Sequence, residues 1–377
     1  MRIFAGIQAM RGVAALSVVC GHAVSARPDM VGPGLAEGAL TILASGVDIF
    51  FVISGFIIAT TAAAHRNPWD FAVRRAVRIF PVYWLVLLAA FVSSSWIAMS
   101  PEERPVLDFG LIFAWTYPNW YLAPAWSIAF ELHFYAAVAA ILVIAPNRLF
   151  ELLFAGLGMV MVAVAFRLQL GIYSHPLVLE FGAGVGIAYL LSHGGLRFSR
   201  RHLAVSAVLF AVGWYWIFVH GSTDAQLARV GTYGLAAGLL IHAVVAAEIE
   251  GQSFSPILQW FGKISYSLYI VHYLVIKWIS NFTGLWLLST SGTIIVSILL
   301  SIGLASALHV IIESAAHPLG QQVESDAPRP AGRRAYSSTD RMNKFRAGSS
   351  AVTATMAAVG LTADAPGPIA CRIRPLV

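Results

Sequence analysis

Eleven ionisable side chains stand inside long apolar runs of this 377-residue chain: Arg11, His22, Asp48, Glu131, His133, Glu180, His242, His272, Lys277, His309 and Glu313. At membrane depth a charged group costs at least about 2.5 kcal/mol on insertion scales, so it persists where pairing or function offsets that cost. Arg11 and His22 are eleven residues apart. On an α-helix that spacing closes to within about 20° of three full turns, with a rise of about 16 Å. The two then share a stripe carrying a fixed cation and a titratable base. The same spacing also suits a plainer arrangement, in which each side chain reaches to its own membrane interface.

Asp48 lies about one turn into the second apolar run, in Gly46-Val47-Asp48-Ile49-Phe50-Phe51-Val52-Ile53-Ser54-Gly55-Phe56. A carboxylate there is a candidate to hold the His22 imidazole in one tautomer, or an ordinary interfacial acid. Glu131, in Trp126-Ser127-Ile128-Ala129-Phe130-Glu131-Leu132-His133-Phe134-Tyr135, falls about 8 Å below Trp126 on a helix. If its span enters from the outer face, that depth matches His22. The pair would suit acid–base chemistry, or Glu131 would be a buried structural acid. Arg75 and Arg78, beside Arg74, share a helix face at i and i+3. They would grip phosphate bidentately or serve only as a topology signal. The glycines of Glu180-Phe181-Gly182-Ala183-Gly184-Val185-Gly186 favour tight helix packing. His272, in mid-run, reads on its own as a hydrogen-bonded packing group.

The elements that must hold these residues follow from composition. Hydrophobic residues make up 58%, charged residues 11% and mean hydropathy is +0.76, where soluble domains carry about 25% charged residues. A soluble globular enzyme, a disordered protein and a nucleic-acid binder with a basic surface are all excluded. Cys20 and Cys371 are too far apart in sequence to suggest a disulfide framework or a cysteine metal site. Ten runs are long enough to cross a bilayer, near 7–25, 41–62, 78–96, 126–145, 149–166, 172–192, 203–220, 230–248, 264–282 and 292–313. The expected fold is an all-α integral membrane bundle of about ten transmembrane helices. The first run, with Arg11 inside it, does not read as a cleavable signal peptide.

With the N-terminus inside and the spans alternating, Arg2, Arg66, Arg74, Arg75, Arg78, Arg148, Arg197, Arg200, Arg201 and Lys263 fall on the cytoplasmic side. Only Arg27, Arg104, Arg167 and Arg229 fall outside. The positive-inside rule therefore expects both termini in the cytoplasm. The stretch 109–124, broken by Pro118 and Pro124, is expected to be interfacial or re-entrant. Residues 1–320 form the expected membrane domain, and 321–377 a polar, disordered cytoplasmic tail. Walker, GxSxG, HExxH and Rossmann patterns are absent, which withdraws support from ATP-driven transport, serine hydrolysis and zinc proteolysis.

Five ordered motifs resemble the membrane-bound acyltransferase-3 family. Ile7–Ala15 with His22 is similar to its opening motif, and Gly46–Phe56 to the next. Arg74-Arg75-Ala76-Val77-Arg78 resembles its Arg-x-x-Arg motif, Trp126–Tyr135 its Trp-Ser-x-x-x-Glu-x-x-Phe-Tyr motif, and Ser265–His272 with Ile312-Glu313 its closing motifs. The combination is most similar to the branch of exopolysaccharide O-acetyltransferases of the ExoZ type. The proline after Glu313 comes later here, at Pro318, than the family more often has it.

The resemblance implies a bacterial inner-membrane O-acyltransferase that moves an acetyl group from acetyl-CoA, a co-substrate, to a hydroxyl of a cell-surface or lipid-linked polysaccharide. It carries the arginine and histidine roles to Arg11 and His22, the donor-site role to Arg75 and Arg78, and a supporting role to Glu131; Asp48 joins His22 and Glu131 as a catalytic candidate from the reading of the residues above. Arg11, Arg75, Arg78, Ser54 and His272 are the expected substrate-binding set, with no metal and no nucleic acid. Arg11 or Ser54 would stabilise an oxyanion, and an acyl-histidine intermediate is the alternative to direct transfer. From residues alone, a proton-coupled or sugar transporter, which would also use buried His and Glu, and a polysaccharide assembly protein, which would need no acyl donor, remain competing readings.

Overall fold

A computed structural model describes residues 4–26, 33–94, 122–220, 226–282 and 290–313. The helices are α1 (Ala5–Ser25), α2 (Pro33–Leu43), α3 (Gly46–Ala64), α4 (Pro68–Ser93), α5 (Ala125–Ile144), α6 (Leu149–Ala165) and α7 (Val178–Ser192). They continue with α8 (Arg200–His220), α9 (Gln226–Ile249), α10 (Pro256–Phe282) and α11 (Thr290–Leu308). A wide π turn, Val230–Gly234, interrupts α9, and another, His309–Glu313, extends α11. No strand occurs among the described residues. Eight stretches are long and apolar enough to cross a bilayer, α2 and α3 counting together as Ala36–Ala64. With the shorter α7 and with α10, which carries Lys263 and Lys277, every one of the ten apolar runs is a helix. The chain is an all-α, multi-pass membrane protein.

Two boundaries move in ways that matter. The third run was expected from residue 78, but α4 starts at Pro68. The Asn67 side chain accepts hydrogen bonds from the N–H groups of Trp69 (3.0 Å) and Asp70 (3.3 Å), and proline occupies the first helical position. Cap and proline start a helix wherever they stand, with no need for apolar neighbours. Arg75 and Arg78 consequently lie two to three turns inside α4 rather than ahead of it. The second run is preceded by the separate helix α2, with a turn at Ala44–Ser45. Residues 109–121 of the expected interfacial stretch, and the whole tail 321–377, lie outside the described residues.

Burial sorts the helices. Two thirds of the Ala36–Ala64 window is buried (67%), against 17% for the windows of α6 and α8. The latter turn Met159, Val208 and Trp216 outward, as a lipid-facing ring requires. Glycine sets the inner contacts. A Cβ on Gly262 would stand 1.9 Å from the Gln8 carbonyl oxygen, and one on Gly12 2.4 Å from that of Leu258. The backbones of α1 and α10 therefore touch, as small residues allow in membranes. Gly55 and Gly184 bring α3 against α7 in the same way. The first turn of α1 has no side-chain cap of its own. Glu248 at the end of α9 takes its place, accepting from Ala5 N (3.0 Å) and Gly6 N (2.7 Å). An anion at a helix N-terminus contributes about 0.3–1 kcal/mol.

Candidate active site

A slender cavity of about 60 Å³ runs between α1, α3, α4, α5 and α10. At roughly 15 Å³ per water it holds about four water molecules. Its lining on α3 extends from Val47 to Ile58, eleven residues or about 16 Å of rise. Arg11, Arg75, Arg78 and Glu131 all reach it. Arg11 is 9% and Arg75 8% exposed. Among the described residues none of the three arginines forms an ion pair. Arg11 Nη1 donates to Gln8 Oε1 at 3.3 Å. Arg75 stacks over the rings of Phe71 (5.4 Å) and Tyr135 (5.3 Å), contacts that orient a guanidinium without neutralising it.

Glu131 is the acid of this cavity. One of its oxygens, Oε1, accepts from Ser54 Oγ at 3.0 Å and from the Tyr135 hydroxyl. The Ser54 proton is thereby committed to Glu131, so the hydroxyl orients an acid rather than facing an oxyanion. Farther along, Tyr269 shares a 2.7 Å hydrogen bond with Ser127. Tyr266 donates to the Ile79 carbonyl at 2.6 Å and ties α10 to α4. Glu313 accepts from Ser267 and pairs with His309 at 3.0 Å. It also lies within electrostatic reach of Arg11.

His22 and Asp48 do not meet. Asp48 is fully buried and takes a two-pronged hydrogen bond from Arg229, at 2.9 and 2.8 Å. Glu180 is beside it, with both carboxyl oxygens buried within reach of Asp48 and Arg229. His22 instead faces His272. Its Nδ1 is 2.9 Å from His272 Nε2, and the rings stack at 5.1 Å. His272 has no exposure and does not line the cavity, but its ring lies 5.8 Å from that of Tyr269, which does. The structure thus brings Arg11, Arg75, Arg78, Glu131 and Ser54 together. It leaves the His22–His272 pair outside the lining, reached through Tyr269, and assigns Asp48 to another cluster.

Sequence reasoning missed Arg229, counted as an outer-loop charge, and the hydroxyls of Tyr135, Tyr266 and Tyr269. The signal for Arg229 was available: a buried acid, Asp48, needed a cation at the same end of the bundle. Among the described residues no group of three or more His, Cys, Asp or Glu side chains is placed to hold a metal ion.

Residues 4–310 match the family model described as an acyltransferase domain, that of acyltransferase-3. The chain belongs to the acyltransferase-3 family. Its relatives agree. The acyltransferase is 32% identical over 251 residues to the exopolysaccharide production protein ExoZ of Rhizobium meliloti, covering 62% of this chain and 76% of that one. It is 24% identical over 352 residues to the acyltransferase MdmB of Streptomyces mycarofaciens, covering 81% and 89%. A putative O-acetyltransferase of Staphylococcus aureus strain COL is 23% identical over 333 residues, and the chain spans only about half (52%) of its length. No solved structure matches. The protein is a membrane O-acyltransferase, and the cavity is where its family motifs converge.

Proposed function

We propose that the acyltransferase moves an acetyl group from acetyl-CoA to a hydroxyl of an exopolysaccharide or its lipid-linked precursor, in the bacterial inner membrane with both termini cytoplasmic. One observation carries the reading. Three guanidiniums without ion-pair partners among the described residues line a cavity whose α3 wall spans about 16 Å, and Tyr269 of its lining stands 5.8 Å from the His272 ring. A pantetheine arm is about as long as that wall by bond counting. The polyanionic end of the donor is what unpaired guanidiniums bind best. The name of the Rhizobium relative supports a polysaccharide acceptor.

In this reading Arg75 and Arg78 hold the donor phosphates, and the thioester arm widens the narrow cavity as it enters. His22 takes the proton of the acceptor hydroxyl as general base. The oxygen bonds to the thioester carbonyl carbon to give a tetrahedral oxyanion, while Arg11, about 16 Å of rise from His22 on α1, joins Arg75 and Arg78 at the anionic end of the donor. The C–S bond then breaks, and the thiolate leaves with the proton from His22. Acyl thioester and alcohol become ester and free thiol. Glu131, fixed by Ser54 and Tyr135, keeps the arginine cluster from being wholly cationic.

The test is proton NMR of base-labile O-acetyl signals on surface polysaccharide from a deletion strain complemented with wild type or His22→Ala, both checked for membrane expression. Acetyl that appears with wild type and vanishes with His22→Ala, while polymer is still made, supports the reading. Equal acetylation in all strains overturns the acceptor, and loss of the polymer itself favours an assembly role.

A further inference from the structure

The hydrogen bonds of the histidine pair have only one consistent direction. His272 Nδ1 lies 3.1 Å from the Leu268 carbonyl oxygen. A carbonyl can only accept, so that nitrogen carries its hydrogen. In a neutral imidazole the other nitrogen, Nε2, is then a bare acceptor. His22 Nδ1, 2.9 Å away, must donate to it. The hydrogen of His22 is thus held on Nδ1, and its basic lone pair sits on Nε2. Among the described residues neither ring forms an ion pair.

The helices are built to keep the pair in register. Gly12 and Gly262 sit at the close contact of α1 and α10. Each is ten residues, or about 15 Å of rise, before its histidine. Two parallel helices joined at the glycines therefore bring His22 and His272 to one level. The stacked rings, 23° from coplanar, and Tyr273 standing edge-on to His22 at 6.4 Å limit rotation of the base.

We infer that His272 is a positioning residue: it locks the Nδ1–H tautomer of His22 and leaves Nε2 as the nitrogen that takes the acceptor's proton. It does with a neutral ring what a carboxylate does for catalytic histidines elsewhere. The inference rests on His22 being the base, and the two are separable by experiment.

The variants are His272→Gln, whose Oε1 can accept where Nε2 did, and His272→Asn, which can still donate to Leu268 but is too short to reach His22. Membranes holding each full-length variant are given radiolabelled acetyl-CoA and purified exopolysaccharide. His272→Asn is expected to lower kcat about 100-fold or more, within the range for a misdirected general base, with KM for acetyl-CoA unchanged. His272→Gln recovers kcat to within about tenfold of wild type. An active His22→Ala would overturn the base itself. An inactive His22→Ala beside a fully active His272→Asn would overturn only the positioning role. Equal losses in both His272 variants together with a lowered unfolding temperature would also overturn it, by making the residue structural.

A second readout needs no acceptor. Ring-¹⁵N histidine NMR of the full chain in lipid, with His22→Ala to assign the signals, should find His22 protonated on Nδ1 and bare on Nε2. Wild type and His272→Gln should agree, and His272→Asn should give a mixture of tautomers. A hydrogen on Nε2 in wild type overturns the inference.

Discussion

The molecule buries arginine in two ways. Arg229 meets Asp48 through two hydrogen bonds, and that pair joins α9 to α3. Arg11, Arg75 and Arg78 crowd one cavity lined by Glu131, whose Oε1 is taken up by hydroxyls, with Glu313 within electrostatic reach of Arg11. Removing charge from water is costly either way. In the first cluster a partner inside the fold offsets the cost. In the second no ion pair offsets it among the described residues, an arrangement that suits the anionic donor of the proposed reaction. On the proposed reading, pairing separates the structural arginine from the donor-binding ones where burial alone does not.

Four measurements would break or sharpen this contrast. The largest effect is expected at Arg229. Arg229→Met leaves Asp48 and Glu180 buried without a cation and should cost about 3–5 kcal/mol of stability, read as a lower unfolding temperature in detergent and reduced membrane abundance. Adding Asp48→Leu should restore most of it. A stable, well-folded Asp48→Asn with no activity would instead return Asp48 to the catalytic set and erase the contrast.

Next comes Arg75. Arg75→Met should leave the unfolding temperature near that of wild type, since methionine keeps apolar packing on Phe71 and Tyr135 and removes a buried charge that has no ion pair among the described residues. It should also remove charge-assisted contacts worth about 1.5–3 kcal/mol in donor binding, a rise in KM for acetyl-CoA of roughly 10- to 150-fold. A large stability loss would mean that Arg75 is structural after all.

Tyr135→Phe keeps the ring under Arg75 but removes one donor to Glu131. A stability cost of about 1 kcal/mol is expected, with a smaller rise in KM than Arg75→Met gives. The smallest effect is that of salt. Raising ionic strength screens the open end of the arginine cavity more than the buried Arg229–Asp48 pair. KM for acetyl-CoA should climb a few-fold while the unfolding temperature stays constant.

The helices were legible because each apolar run announces a span, and the stripe of Arg11 and His22 was legible because spacing on one helix is arithmetic. The start of α4 was misjudged because hydropathy hides a helix that begins in polar sequence, although Asn67-Pro68 marks it. The partners of His22 and Asp48 were not legible. A carboxylate is the usual mate for a catalytic imidazole, so Asp48 and Glu131 were the natural candidates for His22. Which acid meets which base depends on helix neighbours, and those follow from glycine contacts such as Gly12 with Leu258 and Gly262 with Gln8. Sequence spacing within one helix carries no record of them.

The narrowness of the cavity has one more consequence. A cavity cut into a membrane bundle thins the barrier that protons and metal cations must cross. Here the cavity is small, about 60 Å³, and Arg11, Arg75 and Arg78 line it. Such charges repel hydronium and metal cations, much as a single arginine does in channels that exclude protons. The guanidiniums that would recruit an anionic donor also insulate the bilayer against its traffic.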